Sequence, residues 1–341
     1  MQRTRLSTSV VAAVSVIMLG VSGCGSGSQT TPTGKSGSTT KFEKKSPVKI
    51  GYSAYDLANP YWQNYAAGIK EKAKAQGVSV VVADQKGAQQ AQVSGSSDLI
   101  NQGISALIVS PVEPNALPAT VTAAHAAKIP IVVGDVGAKG DYDAFITSNN
   151  AQGGALAADY MGMKLKARAG TKKIGIITLH PGSAVGVDRV QGFKTEIKKY
   201  SDIEVVSELN GNDAIKGGND AAANMFAAHP DLAGIYSAND NEAQGAIAAI
   251  QGAGKNPKDF VVIGFDGNAG SIAAIETGTQ TATVAQDPFT QGQLAVKQAL
   301  DLLNGKKVDF TDPSTRTTAL KVEIVDAKDI VRFKADRAGQ K

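Results

Sequence analysis

The chain is predicted to fold as α/β, with two similar doubly wound parallel-sheet domains joined by a multi-strand hinge, and three observations carry that prediction. From residue 48 onward, short apolar runs of β-type residues alternate with longer Ala-rich runs of helical period, the rhythm of βα units. The rhythm is written twice. Polar residues close nearly every β-type run, at the carboxyl ends where open parallel sheets place their functional groups.

The elements follow in order. Strands are predicted over residues 48–54, 78–83, 104–109, 129–134 and 144–147. A second series is predicted over 173–179, 203–209, 232–237, 260–265 and 281–285. The first helix is predicted over 60–76, because Asn59 is a good N-cap and Pro60 stands at the first helical position, where its missing N–H costs nothing. Two domains joined near 148–150 and crossed again later explain the doubled series better than one long sheet. The expected boundaries are a first lobe of residues 48–148 and 287–315, and a second of 149–286 and 316–341.

What precedes residue 48 has a different composition. An apolar run over residues 10–21 begins close behind Arg3 and Arg5, and small residues lead up to Cys24, the one cysteine of the 341 residues. A positive start, a short apolar segment and a small-residue cleavage point describe a secretory signal peptide over residues 1–23. The run falls short of the roughly 20 apolar residues that span a bilayer. Val21-Ser22-Gly23-Cys24 resembles a bacterial lipobox, which implies lipidation of Cys24 as the first mature residue. Residues 24–47 then read as a lipidated end and a flexible spacer, being rich in Gly, Ser, Thr and Lys. An extracytoplasmic protein tethered to the cell membrane is expected.

Composition excludes several classes. Taking Arg3 and Arg5 from the 35 basic residues leaves 33 against 31 acidic ones, too balanced for the basic stripe that nucleic-acid binding requires. One cysteine cannot form an internal disulfide. Gly34-Lys35-Ser36 has Gln29 where a phosphate-binding loop needs its first glycine, no Gly-x-Ser-x-Gly or His-Glu-x-x-His occurs, and His125, His180 and His229 lack metal-ligand spacing. Neither catalysis nor a cofactor nor a metal is expected.

The polar strand ends are Ser53, Tyr55, Asp84, Ser110 and Asp135 in the first series. In the second they are His180, Asn210, Asn212, Asn239, Asp240, Asp266, Asn268 and Gln286. Singly, such residues often only cap the next helix or shape a turn. Two rows of hydroxyl, amide and carboxylate groups at the mouths of two sheets suit a ligand with many hydroxyls.

Ordered motifs along residues 48–325 carry a family resemblance. They are Asn59-Pro60-Tyr61-Trp62, Arg189-Val190-Gln191-Gly192-Phe193, Ala228-His229-Pro230-Asp231, Ser237-Ala238-Asn239-Asp240, Val262-Ile263-Gly264-Phe265-Asp266-Gly267 and Ala285-Gln286-Asp287. The chain resembles the type I periplasmic sugar-binding proteins of ABC importers, typified by the ribose- and galactose-binding proteins. The resemblance implies that Asn59 hydrogen-bonds a sugar and that Tyr61 and Trp62 pack against it. It carries further contacts onto Arg189, Asn239, Asp266 and Gln286, and onto Asp135 and Ser148. Tyr55 and Ser110 join this set as strand-end groups, and Asn212 through a looser match to the second domain's aromatic region. It also implies a monomer that closes about its hinge and delivers the solute to permease subunits.

One departure matters: Asp135-Val136 stands where the ribose-binding pattern has Asp-Arg. A neutral monosaccharide or polyol other than ribose is therefore expected, with His180 and the Ser53–Asp56 loop as places where specificity could be rebuilt. The alternative is a sensor lipoprotein of the same fold for a furanosyl autoinducer-like signal. A sugar-responsive repressor would begin with a helix-turn-helix instead of an export signal. For the anchor, Cys24→Ala is expected to leave an unlipidated precursor or to release the protein from the membrane fraction; normal processing with wild-type membrane retention would reject the lipobox.

Overall fold

The computed structural model describes residues 42–340 except Ala138, Arg168 and Thr171. The leader, the lipobox and most of the spacer lie outside the described residues. The first half of the chain forms β1 (Lys49–Ala54), α1 (Pro60–Ala75), β2 (Ser79–Asp84), α2 (Gln89–Asn101), β3 (Ala106–Val109), α3 (Leu117–Ala126), β4 (Ile131–Gly134) and β5 (Ala144–Ser148). A second series follows with α4 (Asn150–Leu165), β6 (Lys172–Thr178), α5 (Ala184–Glu196), β7 (Ile203–Asn210), α6 (Ile215–Ala228), β8 (Leu232–Ser237), α7 (Asp240–Gly252), β9 (Val261–Asp266), α8 (Ala269–Thr277) and β10 (Ala282–Ala285). The chain ends with α9 (Pro288–Leu303), β11 (Thr317–Leu320), β12 (Glu323–Asp326) and α10 (Ile330–Arg337).

Two sheets result, ordered β11-β5-β4-β3-β1-β2 and β12-β10-β9-β8-β6-β7. Every pairing is parallel except β10 with β12. Strand composition follows position. The central strands β3 and β8 are buried throughout, while every residue of the edge strand β7 is half-buried or exposed, because helices cover both faces of a parallel sheet but not its rim. In the first lobe, α1 and α9 cover one core layer around Tyr52, Tyr65 and Ile108, and α2 and α3 cover the other around Leu107, Leu117 and Val133. The second lobe repeats the plan with α4 and α5 on one layer and α6 and α7 on the other.

The chain passes between lobes at β5–α4, at β10–α9 and at β11–β12. The third passage corrects the expected boundary after residue 315. Thr317–Leu320 pairs in register with Phe145–Ser148, so the first lobe continues to Leu320. These four residues are only half-buried and carry no apolar pattern that separates a strand from a loop; pairing with β5 makes the strand.

The helices that carry the polar strand-end loops pack unusually close. A methyl on Gly68 of α1 would lie 2.0 Å from Phe289 O of α9, and one on Gly292 of α9 would lie 2.2 Å from Tyr65 O. The second lobe has the same device: methyls on Gly154 of α4 and Gly192 of α5 would lie 1.9 Å from Arg189 O and 2.0 Å from Ala151 O. Only reciprocal glycines allow backbones this near. Gly192→Ala is expected to force α5 outward and destabilise the fold by about 1–3 kcal/mol, the usual cost of overpacking, measurable by denaturant titration; an unchanged midpoint would mean that the interface has slack.

Candidate functional site

The carboxyl ends of both sheets open onto one cleft between the lobes, with a volume of about 240 Å³. That lies below the roughly 300 Å³ at which drug-sized pockets begin, so the cleft fits a small solute. Its rims meet. A methyl on Gly137 of the first lobe would lie 3.3 Å from Ala184 Cβ of the second, and one on Gly182 would lie 3.5 Å from Glu113 Oε2.

Two carboxylates face each other across it. Asp135 follows β4, Asp266 ends β9, and both are non-glycine residues at positive φ, 69° and 122°. Such a backbone costs about 1–3 kcal/mol and persists where its surroundings over-determine it. Here it turns the side chain that follows an apolar strand into the cleft. Tyr61 donates its phenolic hydrogen to Asp135 Oδ1 at 2.8 Å and accepts from Gln291 Nε2 at 3.0 Å. Gln286 donates to Asp266 Oδ1 at 2.7 Å. Burial raises the pKa of both carboxyls, and Arg189 opposes it in both.

Arg189 is the cation between them. It is 3% exposed and lies with its guanidinium carbon 3.9 Å from the centre of the Phe265 ring. Its Nε donates to Asn150 Oδ1 at 2.8 Å, and its Nη1 donates to Ala238 O at 2.9 Å and to Asp266 Oδ1 at 3.4 Å. Asn150 in turn donates to Ser148 O at 3.0 Å. Arg189 is thus held by the first passage between lobes.

Capping and cleft roles coincide. Asn59 accepts the Tyr61 N–H at 2.9 Å and Asn239 accepts the Glu242 N–H at 2.9 Å. Each uses its amide oxygen as the cap and keeps its NH₂ group for the cleft that both residues line. Tyr55 stacks on Trp62 at 5.2 Å, and Tyr61 meets Trp62 edge-on at 4.9 Å. Trp62 is only 5% exposed and belongs to the first-lobe core as well as to the cleft wall. His180 is paired with Asp213, a bond that raises its pKa.

Of the expected site residues, Tyr55, Asn59, Tyr61, Trp62, Asp135, Arg189, Asn239, Asp266 and Gln286 line the cleft. Three do not. Ser110 lies beneath it, fully buried, with its Oγ 3.2 Å from Tyr52 Oη. Ser148 receives Gln291 Nε2 at 3.0 Å inside the hinge. Asn212 is exposed on its turn, and its neighbour Asp213 enters the cleft instead. Sequence reasoning missed Asp213, Asn241, Arg337 and Gln340. For Asp213 the polar turn after β7 was a signal one residue out of register; for Arg337 and Gln340, far beyond the last motif, only tertiary packing brings them in.

The family model described as the periplasmic binding protein domain matches residues 50–307. The ribose import binding protein RbsB of Bacillus subtilis is 34% identical over 268 residues, covering 78% of this chain and 85% of that protein. The D-allose-binding periplasmic protein of Escherichia coli is 33% identical over 263 residues, covering 74% and 83%. A carbohydrate transporter solute-binding protein of Agrobacterium radiobacter, solved in complex with D-arabinose, superposes with a TM-score of 0.75 at 27% identity, covering 86% and 99%.

One buried acid behind the cleft gives a pH test. Glu242 Oε1 accepts the Asp213 N–H at 2.9 Å, which holds that turn in place, while Oε2 has no partner among the described residues. Burial pushes its pKa up to about 8. A carboxyl raised in the folded state takes up its proton more readily there, so stability is highest at low pH and falls as pH rises from about 4.5 through the folded value. Glu242→Gln is expected to remove that fall between pH 5 and pH 8, on the order of 2–4 kcal/mol, in denaturant titrations at both pH values; parallel curves for the two proteins would place the proton elsewhere.

Proposed function

The chain belongs to the periplasmic binding protein domain family, and from that membership and the cleft we propose that it captures a neutral monosaccharide or sugar-derived polyol outside the cytoplasm for an ABC importer. The observation that carries this reading is the polar frame of Asp135, Asp266 and Arg189 beside Tyr61 and Trp62. Charged hydrogen-bonding groups make shorter and roughly twice stronger bonds to hydroxyls than neutral ones. Aromatic walls accept the C–H patches of a sugar ring.

The relatives favour import over sensing. The Bacillus protein is named for ribose import and the Escherichia protein for D-allose binding. For this chain, Val136 lines the cleft where the ribose-binding pattern has an arginine, which supports a solute other than ribose. No catalytic step is required of any residue in the cleft. Delivery to permease subunits follows from closure of the lobes around the solute, since a partner that reads both lobes distinguishes shut from open. The Cys24 anchor and spacer complete the reading, keeping the receptor at the membrane as a monomer.

The test is a calorimetric screen of pentoses, hexoses and cyclitols, followed by Arg189→Ala, which is expected to abolish binding because a buried carboxylate is left without its cation. Trp62, the one tryptophan of the chain, gives a second readout. The indole is already dry, so a bound ring should change its emission intensity more than its wavelength. Wild-type affinity in Arg189→Ala would move the site elsewhere.

A further inference from the structure

We propose that Arg337, on α10, is a specificity-determining residue whose guanidinium holds hydroxyl oxygens of the bound sugar, the part that Val136 cannot play. The inference rests on the sugar-binding reading above. Helix α10 lies beyond residues 50–307 that the family model matches, and none of the motifs in the sequence points to it.

Its placement is built. Ile330 and Phe333 are buried with Ile272, Ile275, Ala285 and Val325. Phe333 reaches the loop that carries Asp266: a methyl on Gly267 would lie 3.3 Å from Phe333 Cζ. That anchorage brings Arg337 to the wall of the cleft that Gln286 and Pro288 also line, with its guanidinium carbon 4.4 Å from the centre of the Phe333 ring.

Its bonding is unfinished. Among the described residues, Arg189, Arg316 and Arg332 each have a carboxylate partner, at Asp266, Asp141 and Glu323. Arg337 is half-buried and has neither a carboxylate nor a hydrogen-bond acceptor within reach among the described residues. Burial works against its charge, while Asp287, Glu323 and Asp336 favour it from farther off. A guanidinium carries five donors in a planar fork and no acceptor. In a cleft that dries on closure, those donors need oxygen atoms, and adjacent hydroxyls fit the fork. Charge decides the class of solute: Asp135, Asp213 and Asp266 line the cleft with Arg189 and Arg337, and this absence of surplus cation favours a neutral polyhydroxyl compound over an acidic one.

The experiment is calorimetry with D-ribose, D-allose, D-arabinose and myo-inositol on the wild type, Arg337→Ala and Arg337→Lys, with thermal midpoints recorded without sugar. Arg337→Ala is expected to weaken the tightest-binding compound about 10- to 100-fold, the range for losing a charged hydrogen bond, with its sugar-free midpoint unchanged. Arg337→Lys should recover only part, since a point charge cannot reproduce the fork. Among monodeoxy analogues of that compound, one should bind weakly to the wild type and lose nothing further in Arg337→Ala. Wild-type affinity in Arg337→Ala overturns the proposal alone. An equal loss for the parent and every deoxy analogue, with a lowered midpoint, assigns Arg337 to packing on Phe333 and also overturns it. If the wild type binds none of the four compounds, the sugar reading falls and this inference falls with it.

Discussion

The structure turns on a pair of carboxylates that the fold buries and cannot fully neutralise by itself. Asp135 and Asp266 sit at corresponding places in the two lobes, each at the end of the fourth strand of its series and each on a backbone of positive φ. Burial raises the pKa of both, and Arg189 is the cation that opposes the shift. Two carboxyls, Asp135 buried and Asp266 half-buried, that share one close cation leave acceptor capacity that water or a hydroxylated solute must fill. The cleft's affinity for donors follows from this deficit.

The surrounding architecture holds that deficit in place. Tyr61 is fixed between Asp135 and Gln291, so the first turn of α1 is tied to both the first carboxylate and α9. Arg189 is fixed by Asn150 and Ala238, so the second lobe's cation is tied to the passage between lobes. The reciprocal glycines bring α1 to α9 and α4 to α5 closely enough for these side chains to reach. Geometry of this kind limits how far a polar group can relax toward its neighbours, and therefore keeps the site organised for a solute.

Most of this was legible in the sequence where one residue does two things. Asn59 and Asn239 read as helix caps and also as cleft amides, and each is both, because the cap uses one end of the amide. All ten predicted strands form, since the central ones are buried and written as plain apolar runs. The two short strands β11 and β12 were not legible: their residues are mostly half-buried, and only pairing with β5 and β10 makes them strands. Ser110 shows the opposite limit. It ends its strand as the others do, but the side chain turns beneath the cleft toward Tyr52, and strand-end position alone does not fix which way a side chain faces.

The hinge explains why, among the described residues, the polar network crosses between lobes sparingly. Tyr61 Oη lies 3.5 Å from Gln286 Oε1, a weak contact whose hydrogen is already given to Asp135 at 2.8 Å. If the lobes were latched by strong direct bonds, closure would be favourable without a solute, and a receptor that shuts alone reports nothing. A solute that donates to Asp135 and Asp266 together supplies the missing bonds between lobes and therefore favours the closed form by its differential affinity for it. The shortage of direct bonds and the two underserved carboxylates are the same property, because the groups that would otherwise join the lobes are those left for the solute.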